Sequence, residues 1–238
     1  MMKTLVLMPT YNEAKSIRHT LTHLLETVPG VDVLVIDDGS PDGTQNIVRE
    51  ISAENPRVAL LERTEKLGLG AAYIAGFKLG LEQGYELLVE MDADGSHRSE
   101  DLSAMLLAAK DADLVIGSRW IPGGAVSNWS WYRQALSQLG NKYASRMLKL
   151  KLSDVTSGFR VFRSELLRRL PLGQVQAQGY GFQIEMAYRS AQLDAKIAQV
   201  PILFIEREWG ESKMSLGIIF EALWLVTKWG LFPKLVAR

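Results

Sequence analysis

Two pairs of aspartates, each at the end of an apolar run, are the residues of this sequence best suited to chemistry. Asp92 and Asp94 follow the run Leu87–Met91, and Asp37 and Asp38 close an earlier run. Carboxylates this close together repel one another unless a cation lies beside them, so Asp92 and Asp94 predict a divalent metal site. The other pair predicts acceptors for ribose hydroxyls, as acidic residues provide in dinucleotide folds. Together they indicate a nucleotide whose diphosphate is held through a metal.

The acidic motifs also allow other interpretations. A single Asp-x-Asp is typical of a polar turn that caps the next helix. The stretch Asp92–Ser96 also fits haloacid-dehalogenase-type phosphatases, in which Asp92 would be the nucleophile. Those phosphatases normally carry this motif on the first strand with an acidic pair far downstream, whereas here the acidic pair lies upstream. The phosphatase therefore stays a second hypothesis.

Four cationic residues near the ends of predicted strands or in loops form the next set of candidates: Arg119, Arg160, Arg207 and Lys213. The last two flank a glycine-containing loop after a predicted strand, which is an arrangement suited to a mobile phosphate clamp. Cations scattered over the protein surface are the alternative interpretation.

Short apolar runs alternate with amphipathic stretches, and this pattern predicts an α/β protein with a mostly parallel, Rossmann-like sheet and helices on both faces. The predicted strands of the first half are Leu5–Met8, Val31–Asp37, Val58–Leu61, Leu87–Met91 and Leu114–Ile116. The predicted helices between them are Ala14–Leu25, Thr44–Glu54, Ala71–Leu81 and Asp101–Ala109. The second half is predicted to contain helix Tyr132–Lys149, strand Phe159–Phe162, helix Phe182–Ala191 and strand Ala195–Ile205. Ligands bind beyond the carboxyl ends of parallel strands, where the acidic motifs lie.

Composition excludes several classes of protein. The chain has 238 residues and no cysteine, which excludes a disulfide scaffold, a thiol nucleophile and a zinc ribbon. Its 27 Lys and Arg balance 27 Asp and Glu, so a general nucleic-acid binder is not expected. We find no run of 18 uncharged apolar residues, and the apolar run before Pro9 has only four residues, Leu5–Met8, so we expect neither a membrane span nor a signal peptide.

The order of the motifs resembles family 2 glycosyltransferases of GT-A fold, and among them the polyprenol (dolichol) monophosphate mannose synthases. The motifs are Pro9-Thr10-Tyr11-Asn12-Glu13, Asp37–Thr44, Asp92-Ala93-Asp94, Gly117-Ser118-Arg119 and Gly210-Glu211-Ser212-Lys213. The resemblance covers nearly the whole chain. The last motif and the stretch Asp154–Arg160 are the parts more specific to the mannose synthases.

The resemblance implies roles for residues in each motif. The residues implied to line the nucleotide-sugar site are Pro9, Tyr11, Glu13, Ile36, Asp38, Asp92, Ala93, Asp94, Arg119, Arg207 and Lys213. Asp94 is implied to bind Mg²⁺ or Mn²⁺, and Ser96 stands where some relatives carry a glutamine near the metal. The implied catalytic residues are Asp94, Arg119, Arg133 and Lys213, whose cations would surround the phosphates of donor and acceptor.

The activity implied by the resemblance is transfer of mannose from GDP-mannose to polyprenyl (dolichyl) phosphate with inversion, giving polyprenyl β-mannosyl phosphate. A phosphate monoester has a second pKa of about 6, so the acceptor is already an anion at neutral pH and needs no general base. Transfer of glucose from UDP-glucose to the same lipid stays open, as does a non-catalytic scaffold that docks on lipid.

We expect a GT-A catalytic domain over residues 1–212 and an amphipathic helical segment over residues 213–238. Read as a helix, Lys213–Leu231 carries charges on one side, and Trp224 and Trp229 suit a membrane interface. This segment would hold the enzyme on the cytoplasmic face of a membrane. Packing of the helix on the domain or on a second subunit is the alternative, and a partner protein that anchors the enzyme also stays open.

Overall fold

The computed structural model describes residues 2–175, 177, 179–207 and 216–232. Its strands are β1 Thr4–Thr10, β2 Val31–Asp37, β3 Val58–Glu62, β4 Leu87–Glu90, β5 Leu114–Ser118, β6 Ala125–Ser127, β7 Arg160–Arg163, β8 Ile197–Pro201 and β9 Leu203–Ile205. Seven of them form one sheet in the order β3-β2-β1-β4-β7-β5-β8, and β6 pairs with β9 in a small second sheet. Neighbouring strands of the large sheet are parallel except for β7, which runs antiparallel to β4 and β5.

Helices cover both faces of the large sheet. They are α1 Ile17–Thr27, α2 Thr44–Glu54, α3 Leu69–Glu82, α4 Ser99–Ala108, α5 Trp131–Met147, α6 Ser164–Arg169, α7 Gly179–Gln192 and α8 Leu216–Leu231. Successive side chains of a strand point to opposite faces, and in β1 Val6 packs in the core under α1, α2 and α4, whereas Leu7 packs under α3, α6 and α7. The predicted α/β architecture with both faces covered is confirmed.

The antiparallel strand β7 determines which loops meet at the carboxyl edge of the sheet. Its first residue, Arg160, lies opposite Glu90 of β4 and Ile116 of β5. Because β7 runs in the opposite direction, the residues that precede it lie where β4 and β5 end. Ser157 and Gly158 therefore share an edge with the Asp92 turn.

The prediction of one strand over Ala195–Ile205 is wrong, because the chain leaves the large sheet after Pro201. The Ile202 side chain is buried beside Gly117, where the missing side chain of the glycine leaves room for it. The next residues form β9 in the small sheet. Ile205 then donates a backbone hydrogen bond to Ser96, so this crossing brings the end of β9 to the Asp94 turn.

The last described helix, α8, packs on α5 and α7. Val226 and Trp229 are buried, and the Trp229 ring stacks on Tyr188 with 6.5 Å between ring centroids. Trp229 therefore does not lie at a membrane interface, whereas Trp224 on the same helix is 66% exposed. Among the helices within the described ranges, none is long and apolar enough to cross a bilayer.

Candidate active site

The turn after β4 places Asp92, Ala93 and Asp94. The backbone carbonyl of Ala93 accepts a hydrogen bond of 3.0 Å from Thr20 Oγ1 of α1, and the backbone N–H of Asp92 donates to His97 Nδ1 at 3.0 Å. Gly95 closes the turn with φ of 78°, a conformation that side chains other than hydrogen disfavour. The two carboxylates are therefore positioned by fixed backbone.

Asp94 is the buried acid of this turn, with a relative exposure of 6%. Its Oδ1 accepts a hydrogen bond of 3.0 Å from the backbone N–H of Ser96, and its Oδ2 lies 3.3 Å from Arg207 Nη1. The Ser96 hydroxyl is buried and has no hydrogen-bond partner within the described part of the chain. A buried carboxylate beside an unpaired hydroxyl oxygen suits a hard cation such as Mg²⁺ or Mn²⁺.

The same turn does not form a metal cage by itself. Over the ranges that the structure describes, no group of three or more His, Asp or Glu side chains is placed to hold a metal ion. Magnesium in phosphoryl-group sites is commonly held by one or two carboxylates together with the phosphates of the substrate. Asp94 and Ser96 fit such a shared site, in which a bound diphosphate completes the coordination.

His97 is a residue of the site that sequence reasoning missed. Its ring is buried and stacks on Phe159, with 4.8 Å between centroids. Burial lowers the pKa of this imidazole, so the ring is neutral, and Nδ1 accepts from Asp92, which leaves the proton on Nε2. That nitrogen lies 3.8 Å from Asp92 Oδ2. His97 therefore holds the backbone of the Asp92 turn in position through this hydrogen bond.

The aspartates at the end of β2 divide their roles. Asp37 is fully buried and accepts hydrogen bonds from Thr10 Oγ1 at 2.8 Å, from the Ser40 hydroxyl at 2.6 Å and from Gln45 Nε2 at 2.7 Å. Asp37 thereby fixes the loop, a structural role that the motif alone did not predict. The Asp38 carboxylate takes no part in these hydrogen bonds.

Asp38 lies beside a cation that sequence reasoning also missed. Its Oδ1 is 3.0 Å from Arg63 Nη1. Burial raises the pKa of Asp38 above its ordinary value, and the Arg63 guanidinium opposes that rise. The backbone N–H of Asp38 also bonds to Thr10, so the ends of β1 and β2 meet at this acid.

The remaining nucleoside-pocket candidates lie around the same two strand ends. Pro9 stands opposite Ile36 in the register of β1 and β2, but the Ile36 side chain is fully buried in the core, so only its backbone can face a ligand. The ring of Tyr11 lies 3.7 Å from Lys66 Nζ. The backbone N–H of Glu13 donates to Thr44 Oγ1 at 3.0 Å.

Arg119 is joined to a buried acid. Its Nε and Nη2 donate to the two carboxylate oxygens of Asp154, each at 2.7 Å, and Asp154 is fully buried. The guanidinium also lies 5.5 Å from the ring centroids of Trp129 and Phe204. Such bidentate pairing fixes the position of the guanidinium. The Asp154 carboxylate also offsets much of the positive charge of Arg119, whereas the sequence-based prediction treated Arg119 as a cation for binding phosphate.

Arg133 and Arg207 reach the site from different elements. Arg133 lies over the Trp129 ring, 4.0 Å from its centroid, and forms an ion pair with Glu206. Arg207, the next residue along the chain, is the partner of Asp94. The structure thus brings together Asp94 and three of the expected cations around the end of β9. Lys213, the remaining one, lies outside the described residues.

An apolar groove of about 350 Å³ begins at Arg119 and Arg133 and runs between α5 and α8. Its apolar walls include Leu136, Leu139, Tyr143, Ala222, Leu223 and Val226. Large exposed apolar side chains on the same two helices include Trp131, Tyr132, Phe220 and Trp224. The site therefore has a charged end and an apolar extension.

Residues 5–170 match the family described as Glycosyl transferase family 2. This chain belongs to that family. Across 233 residues it is 53% identical to an undecaprenyl-phosphate mannosyltransferase of Micrococcus luteus, with 98% of this chain and 96% of that protein covered. It is 46% identical to a polyprenol monophosphomannose synthase of Mycolicibacterium smegmatis, with 98% of this chain and 89% of that protein covered.

Solved structures share the fold of this glycosyltransferase at low identity. Glucosyl-3-phosphoglycerate synthase from Mycobacterium tuberculosis, solved with Mn²⁺ and uridine diphosphate, matches with a TM-score of 0.68 at 20% identity, covering 98% of this chain and 80% of that chain. A mannosyltransferase from Pyrobaculum calidifontis, solved with GDP-mannose and Mn²⁺, matches with a TM-score of 0.59 at 19% identity, covering 99% and 72%. The fold is GT-A, as the motifs predicted.

Proposed function

We propose that this glycosyltransferase moves mannose from GDP-mannose to polyprenyl phosphate and releases polyprenyl β-mannosyl phosphate and GDP. The observation that carries the proposal is the junction of two environments at one site. A buried acid and three arginines lie at the charged end of the site, and an apolar groove leads away from Arg119 and Arg133. The relatives named for mannosyl transfer to undecaprenyl phosphate and for polyprenol monophosphomannose support this choice of substrates.

The nucleoside half of the donor is assigned to the ends of β1 and β2. Asp38 can accept hydrogen bonds from ribose hydroxyls, because Asp37 holds the loop with its own carboxylate and leaves Asp38 in place. Pro9, Tyr11, Glu13 and the Ile36 backbone border the same strand ends. These residues bind and orient the nucleotide in the proposal.

The diphosphate is assigned to the turn Asp92-Ala93-Asp94. Asp94, with Ser96 beside it, would hold Mg²⁺ or Mn²⁺ together with the diphosphate oxygens, and the ion would neutralise the charge of the departing nucleoside diphosphate. Arg207 already lies on Asp94 and is placed to exchange the carboxylate for a phosphate oxygen. Lys213 is proposed to join the same phosphates.

The reaction needs no proton-accepting residue in this proposal. The acceptor phosphate is an anion at neutral pH, and one of its oxygens attacks C1 of the mannose while the C1–O bond to the diphosphate breaks. The bonding electrons leave with GDP, and single displacement turns the α-linked donor into a β-linked product. Arg119 and Arg133 reduce the repulsion between the two anions as they approach.

The lipid half of the acceptor is assigned to the groove between α5 and α8. The exposed side chains Trp131, Phe220 and Trp224 extend that apolar surface outward. We infer that this surface lies on the cytoplasmic face of a membrane, with the protein bound peripherally. In this proposal residues 213–238 serve membrane contact while residues 1–212 form the catalytic domain. A partner protein that anchors the enzyme would bind the same apolar surface.

A transfer assay with purified protein tests this function. The reaction contains radiolabelled GDP-mannose or UDP-glucose, a short-chain polyprenyl phosphate, and Mg²⁺, Mn²⁺ or a chelator. We expect metal-dependent label in the lipid with GDP-mannose. Label transferred from UDP-glucose alone would replace mannose by glucose in the proposal, and transfer from neither donor would refute it. Family membership removes the phosphatase hypothesis, since its covalent aspartyl-phosphate has no place in glycosyl transfer.

A further inference from the structure

A group of buried polar side chains lies beneath the Asp92 turn and takes no part in the roles assigned above. Among the residues that the structure describes, the Tyr73 hydroxyl, both carboxylate oxygens of Glu90 and both polar atoms of the Gln183 amide are buried without a hydrogen bond of normal geometry. Glu90 and Gln183 lie side by side. Burial raises the pKa of the Glu90 carboxyl to about 8, and the Arg160 guanidinium and the Gln183 amide oppose that rise only in part. Leaving a buried polar atom without a hydrogen bond destabilises the folded protein. A group of buried polar side chains beside the diphosphate turn calls for a functional explanation.

Gly158 connects this group to the diphosphate turn. A methyl group built on Gly158 would lie 3.7 Å from Gln183 Nε2, 3.8 Å from His97 Cε1 and 4.0 Å from Asp92 Oδ1. The glycine therefore faces one small space that is bordered by an amide, an imidazole and a carboxylate. Asp92 is partly exposed whereas Gln183 is buried, so Gly158 lies between the open side of the turn and the buried amide.

Arg160 holds the walls of this space together. Its guanidinium is fully buried and donates to the backbone carbonyls of Ser157 at 2.8 Å, Gln183 at 2.7 Å and Val155 at 2.8 Å. One side chain thus joins the loop that carries Gly158 to the first turns of α7. The backbone that carries the Gln183 side chain is consequently held in position before any ligand binds.

We propose that Gly158 and Gln183, with Glu90 behind them, form the pocket for the hydroxyl groups of the donor sugar. The inference rests on the proposed function, because it places the sugar next to the diphosphate at Asp92. A carboxamide both donates and accepts, and so matches a sugar hydroxyl, which also does both. A site built to hydrogen-bond a hydroxyl discriminates strongly against a substrate that lacks it or presents it on the wrong face. Gln183 is therefore a specificity-determining residue for the hexose.

The decisive variant is Gly158→Ala. Its added methyl group makes only ordinary contacts, and the backbone of Gly158 is not in the left-handed region, so the protein should fold normally. The methyl group occupies the space assigned to a sugar hydroxyl. We expect the KM for GDP-mannose to rise about tenfold or more while the Kd for GDP and the Tm stay at wild-type values. Gly173→Ala is the matched control, because a methyl group built there meets no atom within 4 Å.

Gln183→Leu provides the second measurement. We expect kcat/KM for GDP-mannose to fall about tenfold or more, and the preference for GDP-mannose over GDP-glucose to shrink, with unchanged affinity for GDP. A lower Tm with both donors and GDP affected equally would show a purely structural role and overturn the inference. Unchanged KM in the Gly158→Ala variant would also overturn it, with a trapped water as the occupant. The proposed function would survive either result as long as the wild-type protein transfers mannose.

Discussion

The Arg207 guanidinium lies on the Asp94 carboxylate, with Nη1 and Oδ2 3.3 Å apart. The pair joins the segment just after β9 to the turn after β4, so a cation that follows the small sheet already balances the buried acid of the site. We expect a dication at Asp94 to compete with this arginine for the carboxylate until a diphosphate offers the arginine a phosphate oxygen instead.

Arg207→Gln should strengthen metal binding to the free enzyme and weaken catalysis. Removing a charge that competes at 3.3 Å should lower the Kd for Mn²⁺ by roughly tenfold in the absence of nucleotide. The kcat/KM for GDP-mannose should fall, because the diphosphate loses a cation. Electron paramagnetic resonance titration measures free Mn²⁺. Arg18→Gln, which breaks an exposed pair with Glu50, is the control. An unchanged Kd for Mn²⁺ would contradict the competition.

Asp94→Asn should abolish transfer with the fold intact. The amide keeps an acceptor for the Ser96 N–H but loses the charge that would hold the metal. We expect kcat to fall by at least about 100-fold, since metal stabilisation of a leaving group is worth several kcal/mol. Initial rates and a urea unfolding curve test both parts, with the exposed Asp111→Asn as control. Near-normal transfer by Asp94→Asn would count against an enzyme that relies on this acid.

Arg119→Ala should destabilise the protein strongly, because it leaves Asp154 buried without its bidentate partner. The expected loss is about 3–5 kcal/mol in the free energy of unfolding, against less than about 1 kcal/mol for breaking the exposed Arg18–Glu50 pair. The double variant Arg119→Met, Asp154→Leu should recover much of the stability. If that stable double variant also transfers mannose at the wild-type rate, Arg119 has no role in binding phosphate.

Glu90 should make the stability of the protein fall as pH rises. Burial raises the pKa of this carboxyl from 4.5 to about 8. Between these values the folded protein keeps a proton that the unfolded chain releases, so stability decreases with pH by up to about 1.4 kcal/mol per unit. Glu90→Gln should remove this slope, and its stability gain over the wild type should grow from about pH 5 to about pH 8. Urea unfolding curves over this pH range measure the stability difference, with the exposed Glu82→Gln as control. If the difference in free energy of unfolding between Glu90→Gln and the wild type did not change with pH, Glu90 would not be protonated in the folded protein.

Trp224→Glu should weaken membrane binding without affecting the chemistry. The Trp224 side chain is 66% exposed on α8 beside the groove, and moving a large apolar side chain out of lipid should reduce vesicle binding about tenfold or more. Sedimentation with phosphatidylglycerol–phosphatidylcholine vesicles measures this loss. Rates with a water-soluble acceptor should not change. Leu107→Glu, at a 62% exposed position on α4, is the control and should bind vesicles normally. An equal loss of vesicle binding in both variants would count against α8 as the part of the protein that contacts the membrane.

Local patterns predicted the sheet and the edge that carries the site, because strand period and turn chemistry are encoded within a few residues. Asp92 and Asp94 could be found in this way, since they directly follow the apolar run of β4. The partner of Arg119 could not, because Asp154 is 35 positions away and only the folding of β7 brings it near. His97 was missed for a similar reason: its role depends on stacking against Phe159.

The division of labour between Asp37 and Asp38 illustrates the same limit. Both carboxylates stand in one motif, and only the hydrogen bonds from Thr10, Ser40 and Gln45 show that Asp37 is occupied by its own loop. In the same way, the run that ends at Ile205 reads as one strand, although the burial of Ile202 divides it between two sheets. The pattern of apolar residues along the sequence predicts that a segment forms a strand, but it does not predict which sheet that strand joins.

The position of β7 between β4 and β5 also constrains how the chain assembles during synthesis. The segment that supplies β1 to β4 is complete at Glu90, but the outer edge of β4 has no neighbour until Arg160–Arg163 has left the ribosome. An unpaired strand edge invites association with other nascent chains. A fragment truncated after Ser118 should therefore self-associate, whereas one that extends past Arg163 can close the gap from within.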